Sequence, residues 1–410
     1  MLTRMRPALV LAHRWLGLVT AGFLLLAAVT GSLLVWNDEL DAAINPGMFR
    51  VQEVDQPPLD TLLLRDRVLA RYPHAQISYV PLERNSGWPV RFRLQPARDD
   101  TSGRLAVLEN DEIFVHPWTG DILGERRWGD ITQGVVNLMP FVYRLHYSLA
   151  LDTVGVYLLG IVALLWSVDC LIGAWLTLPA APRTVAKAGG AAAWLRRWWA
   201  AWRVRWSAGG YKRHFDLHRA GGLWAWAALF VLAWSSVAFN LPQVYKPVMY
   251  TLFAHQDEAA LGRVRSQPSA LPTLSWAQAR DIGRVHMADY ARRAGFSILA
   301  EGAIAYHPRQ AAYRYDVRST LDVREHGSKT RVLFDARTGA LLMASQPTGA
   351  YAGDTIRMWL TSLHMAAVGG LPMRLFVSFM GLVVAVLCVT GVVIWNRKRK
   401  GRKAGLAGKN

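Results

Sequence analysis

Cysteine is nearly absent: Cys170 and Cys388 are the two in a chain of 410 residues. That excludes a disulfide framework, a cysteine-rich zinc or iron–sulfur site and the Cys-x-x-Cys-His signature of covalent haem. Acids are scarce as well, 29 against 47 Lys and Arg, for a formal net charge of +18. No Gly-x-Gly-x-x-Gly follows a strand, and neither a phosphate-binding loop nor a Ser/His/Asp or zinc-hydrolase pattern is present. No soluble stretch on the inner side has room for NAD or flavin, so any electrons must come from another protein, a reduced flavin or a quinol.

Apolar residues are what the chain has in quantity, 52% of the total, with 18 Trp. Four stretches approach or exceed the roughly 20 residues that cross a bilayer: Leu16–Trp36, Thr153–Leu178, Ala220–Phe239 and Leu375–Trp395. Only the second holds a charge, Asp169. The expectation is an integral membrane protein with four transmembrane helices. Residues 179–215 carry eight Lys/Arg and no acid, and the tail after Trp395 carries seven. With Arg4 and Arg6, these place both termini and that loop in the cytoplasm, and 37–152 and 240–374 outside. The positive charge therefore reads as topology signal and contact with anionic membrane lipid, with no nucleic acid partner. The first span is too long for a signal-peptide core and reads as a retained anchor. The stretch "AWLRRWWAAWRVRW" at 193–206 reads as an amphipathic helix on the cytoplasmic surface.

Self-similarity sets the architecture. His146 and His364 lie 218 positions apart, as do Cys170 and Cys388, and Gly173 and Gly391. "HRWLGL" at 13–18 matches "HRAGGL" at 218–223, and "EIFVHPWTGDILGER" at 112–126 matches "TRVLFDARTGALLMA" at 330–344 around a Thr-Gly turn. Each half thus reads as a span going out, a small α+β outer domain and a span coming back: two parallel repeats, related by an axis along the membrane normal. The expected divisions are helix 1 over 1–36 and an outer domain over 37–143. Helix 2 with an outer extension covers 144–178, a basic cytoplasmic loop 179–213, and helix 3 214–239. A second outer domain takes 240–353, helix 4 with its extension 354–396, and a basic tail 397–410.

On that frame His13 and His218 share the inner level, and His146 and His364 the outer one. Facing imidazoles across a bundle are the geometry for a bis-histidine haem, and two such pairs make a wire across about 30 Å of hydrocarbon. His214, one turn before His218, is the alternative ligand there. Arg14 and Arg219 are candidates for the inner propionates or are membrane anchors; Arg144, Arg357 and Arg374 are candidates for the outer ones. Gly17, Gly22, Gly221 and Gly222 leave room for a macrocycle or pack helices closely. Asp169 reads as a proton-coupling group or as the partner of a loop cation. Helix breaks are expected near Asp152 and at "GGLP", 369–372, and the levels are expected about 35 Å apart. Trp166, Trp226, Trp234 and Phe230 lie between.

These elements resemble the PepSY-associated transmembrane family: "HRWLGL", "LHYSLALDTVG", "HRAGGL" and "LHMA" at the helices, "WTGDIL" and "RTGALL" in the PepSY-like outer domains. The resemblance covers nearly the whole chain. One departure is His116, where the family usually has the Asp of an Asp-Pro turn. The resemblance implies an inner-membrane oxidoreductase with two b-type haems that reduces a ferric siderophore in the periplasm. A conduit to another periplasmic acceptor and a non-catalytic sensor or assembly factor are the other readings.

Overall fold

The computed structural model describes residues 2–98, 103–179, 190–256 and 271–407; Arg183 and Lys187 of the basic loop and Lys409 of the tail lie outside them. The chain begins with α1 (Leu2–Leu34), α2 (Asn37–Ile44), α3 (Pro46–Phe49) and α4 (Thr61–Arg71). Six short strands follow: β1 (Ala75–Gln76), β2 (Tyr79–Pro81), β3 (Val90–Arg93), β4 (Gln95–Pro96), β5 (Glu112–Val115) and β6 (Ile122–Arg126). Then come α5 (Leu138–Ser148), α6 (Asp152–Thr177), α7 (Gly190–Trp199), α8 (Gly210–Asn240), α9 (Pro242–Leu252) and α10 (Trp276–Ala294). The chain continues through β7 (Ile298–His307), β8 (Ala312–Ser319), β9 (Thr330–Asp335), β10 (Leu341–Ser345), α11 (Ala352–His364) and α12 (Gly370–Ala407).

These elements form two compact units. The helical unit takes the chain up to Val35, Val142–Val248 and everything from Leu363 on. Its α1, α6, α8 and α12 are long and apolar enough to cross a membrane. In hydrocarbon such runs must bond their own backbone, which a helix does. Both α1 and α8 pack against α6 and α12, so α1 and α8 face each other across the diagonal. The expected breaks are present. Leu149 (φ 52°), Ala150 (φ 56°) and Asp152 (φ 49°) separate α5 from α6, left-handed conformations that cost on the order of 1 kcal/mol each for such residues. Ala366 (φ 49°) and Gly369 (φ 76°) separate α11 from α12. Pro372 lies in the first turn of α12, where its missing donor costs nothing. Helix α12 runs past the expected end at 396. The Trp-rich helix stops at Trp199 rather than 206; the Trp194 and Trp198 indoles meet tilted, Trp198, Trp202 and Trp224 continue edge to face, and Trp224 Nε1 donates to the Trp202 carbonyl at 3.0 Å. That ladder fastens the segment to α8.

The α+β unit takes Trp36–Phe141 and Met249–Ser362. The two outer segments, expected as separate domains, are one unit, because β2 of the first segment completes the edge of the second segment's sheet. The five-stranded antiparallel sheet has the order β10-β9-β8-β7-β2, with Tyr79 opposite Ala305. A three-stranded sheet, β3-β5-β6, adjoins it in the shared core. Leu64 of α4 and Met287 of α10 pack there with Phe92, Ile113, Tyr313 and Phe334, all fully buried. A capping box at Ser275 and Gln278 starts α10, and Gly295 (φ 74°) ends it. Arg126, 2% exposed, ties α2 to β5 through Asp41 (2.8 Å) and Glu112 (2.7 Å). The two Thr-Gly turns are held alike. Asp335 Oδ1 accepts the N–H groups of Arg337 and Thr338 at 2.8 and 2.9 Å, and His116 Nδ1 accepts those of Trp118 and Thr119 at 3.3 Å. His116 therefore does the turn-capping work of an aspartate.

Candidate functional site

The helical unit brings the four histidines together in the two expected pairs. His13 on α1 and His218 on α8 have ring centroids 6.0 Å apart; His146 on α5 and His364 on α11 have theirs 6.3 Å apart. Two metal–nitrogen bonds of about 2 Å plus two ring radii of roughly 1 Å give about 6 Å, so each pair is spaced to hold one metal between its imidazoles.

Each ring is anchored through Nδ1. His13 Nδ1 donates to Asp169 Oδ1 at 2.8 Å. His218 Nδ1 donates to the Leu387 carbonyl at 3.1 Å, with Thr390 Oγ1 at 3.2 Å. His146 Nδ1 meets Thr30 Oγ1 at 3.0 Å, and His364 Nδ1 meets Ser235 Oγ at 2.7 Å. Both hydroxyls commit their single proton to a carbonyl one turn back, Leu26 and Val231, at 2.7 and 2.6 Å. They must therefore accept from the imidazole. Each ring thus has an acceptor for a hydrogen on Nδ1, and among the described residues no hydrogen bond engages the Nε2 atoms, which leaves them available as metal ligands.

Glycines let the rings lie against backbone. A Cβ on Gly173 or Gly391 would stand 3.4 or 3.3 Å from Cε1 of His13 or His218. One on Gly31 would stand 2.9 Å from His146 Cε1, too close to fit without a shift. At the inner pair a cavity of ≈ 450 Å³ opens between the helices, lined among others by Arg14, Asp169, Trp166, Arg219 and Trp226. Apolar surface dominates it, as a flat macrocycle requires. Gly17 and Gly222 line the cavity too; Gly22 and Gly221 do not. The levels are closer than expected. His13 to Thr30 and His218 to Ser235 are each 17 residues, about 25 Å of helix rather than 35. The reason is that His146 sits beside Thr30, inside the end of α1, and not above it.

Several sequence expectations need correcting. Among the described residues the ion-pair partner of Asp169 is His13 rather than a loop cation. His214 is no rival ligand: its Nδ1 bonds the Gly210 carbonyl of its own helix, and it does not line the cavity. Arg219 is drawn to Asp216 (3.1 Å) and the Ala200 carbonyl (3.0 Å). Arg144 pairs with Asp152 at 2.8 Å, and Arg374 donates to the Val35 carbonyl at 2.8 Å. An acid or a backbone carbonyl engages each of these cations. Arg14 has no such partner among the described residues. Cys170 and Cys388 line the cavity as free thiols. Trp226 stacks on Phe230 at 6.0 Å in the core between the levels, whereas Trp234 packs on Tyr245. Thr30 and Ser235 were not singled out in the sequence. The signal for them is their offset of 205, the same as that of His13 and His218.

A comparison with curated proteins returned no match. The family model for the PepSY-associated TM region matches residues 10–398, and the chain belongs to that family.

Proposed function

We propose that this protein is a di-haem electron conduit of the bacterial inner membrane, built of two parallel repeats, that reduces a ferric siderophore on the periplasmic side. The observation that carries the reading is the pair of facing imidazole couples, each ring fixed at Nδ1 with Nε2 free. Two b-type haems, if bound at these pairs, would supply one-electron carriers across hydrocarbon that an electron does not cross alone; the histidine levels lie about 25 Å apart along the helices. His13 and His218 would hold the inner group, with Arg14 lining the cavity as a candidate for its propionates; His146 and His364 would hold the outer one. Lys/Arg distribution puts the termini and the inner pair at the cytoplasmic face, next to a quinol or protein donor.

Direction follows from an asymmetry between the pairs. The outer rings both lean on hydroxyls, but His13 leans on a carboxylate and His218 on a carbonyl. Hydrogen bonding to a carboxylate makes His13 the strongest electron donor of the four, which favours the oxidised metal at the inner level. With haems bound, that asymmetry would favour electron flow outward. The substrate rests on family likeness: Fe³⁺ held by hard oxygen donors is released once reduced to Fe²⁺.

Purified protein tests the reading by haem stoichiometry and its absorbance spectrum. Two haems per chain, reoxidised by ferric chelates after dithionite reduction, are expected. A sample without a Soret band refutes the conduit and favours a sensor or assembly role. Full haem content with no ferric chelate able to oxidise it refutes the substrate.

A further inference from the structure

The α+β unit carries a group of cations that its acids do not balance. In β8, Tyr313, Tyr315 and Val317 face the core. Strand alternation puts Arg314, Asp316 and Arg318 on the other face. Asp316 pairs in register with Arg331 of β9, so Arg331 shares that face, as does Lys329 two residues earlier. His307 of β7 lies beside Arg314, with Nε2 3.4 Å from its Nη1. Arg324, in the β8–β9 loop, reaches the hydroxyls of Thr361 (2.9 Å) and Ser362 (3.1 Å) on α11.

The charges do not cancel. Asp316, 4% exposed, lies 3.0 Å from Arg314 and 3.7 Å from Arg331. Asp322 spends its oxygens on Ser319, Thr330 and the Lys329 backbone N–H. Arg318 is balanced by Glu83 at 3.3 Å. Four cations, Arg314, Arg324, Lys329 and Arg331, thus share two acids. Among the described residues no carboxylate lies within ion-pair reach of Lys329 or Arg324, and the buried Nε of Arg331 has no hydrogen-bond partner. Burial, and then the charges of Arg331 and Arg324, pull the Lys329 amine down to about 8. A half-buried cation without a counter-ion is costly, and the missing charge is negative.

We propose that Lys329, Arg331, Arg324 and Arg314 form a binding site for a small polyanion that presents two or more carboxylate- or phosphate-type groups. If the proposed function holds, the polyanion is an anionic ferric chelate with oxygen-donor arms. The same chemistry is offered by the phosphate of a lipid headgroup, so the experiment carries both sources.

The full chain in detergent is titrated calorimetrically with ferric citrate, with citrate alone and with phosphatidylglycerol vesicles. Saturable binding of one citrate or ferric citrate per chain is expected. Lys329→Gln and Arg331→Gln should each weaken it at least about tenfold, whereas Lys329→Arg keeps it within about threefold. The charge-conserving variant separates lost charge from lost fold. Vesicle binding that Lys329→Gln abolishes, with citrate inert, upholds the site and overturns its assignment to a chelate. Unaltered affinity in Lys329→Gln and Arg331→Gln, or no saturable anion binding at all, overturns the site. Haem content measured on the same samples reports separately on the conduit, since anion binding here does not require haem.

Discussion

Replacing Asp169 by Asn removes one charge and little else. The amide oxygen still accepts the Nδ1–H of His13, so the ring stays where the 2.8 Å bond holds it. Crossing the imidazole and one metal–nitrogen bond puts the carboxylate about 7 Å from the metal position. At an effective dielectric of about 20, a unit charge there is worth about 2.4 kcal/mol, or about 100 mV for a one-electron couple. The carboxylate favours the oxidised state, so Asp169→Asn should raise one of two midpoint potentials by about 100 mV. The other site, about 25 Å away along the helices, should move by less than about 30 mV. Spectroelectrochemical titration of the purified protein reads both. Two bound haems whose midpoints both stay in place would falsify the assignment of His13 as a ligand under carboxylate control.

Three further outcomes are expected. Gly31→Ala puts a methyl group 2.9 Å from His146 Cε1, so haem content by pyridine haemochrome should fall from two towards about one while the inner site persists. Arg126→Met leaves Asp41 and Glu112 facing each other in a buried site and should cost about 3–5 kcal/mol in denaturant unfolding of the α+β unit. At Glu301 burial pushes the carboxyl up, but hydrogen bonds from Arg280, Arg284 and Tyr315 outweigh it and hold the group at about 2. The stability it contributes is complete above its unfolded pKa, near 4.5, and is lost as pH falls through about 2; Glu301→Gln should flatten that acid limb in a thermal melt.

The histidine pairing was legible because offsets of 205 and 218 name equivalent positions without any knowledge of packing. The helix breaks were legible for a local reason, since each run from histidine to the end of its span is longer than a bilayer needs. Asp169 was visible as an acid inside a span, but its partner was not. His13 is 156 residues away, and neither helix's own pattern says which faces meet. The arginines failed for the opposite reason: Arg144 and Arg374 stand near the outer histidines in sequence, yet an acid and a helix-end carbonyl take them first. Strand alternation in "YRYDVR" fixed two faces for β8, but alternation never names the neighbouring strand, so the sharing of one sheet between both outer segments stayed hidden.

That shared sheet has a consequence for how the chain is made. Tyr79 must wait for Ala305, 226 residues downstream, before its strand has a partner. By then the ribosome has already delivered α6 and α8. Until the second segment arrives, the first presents an unpaired strand edge and uncovered apolar side chains, the features that invite aggregation or capture by a chaperone. Closure of this unit is therefore a late and slow event, set by the arrival of β7. A chain stopped after the second or third apolar helix should remain protease-sensitive between Trp36 and Phe141, however well its helices have inserted.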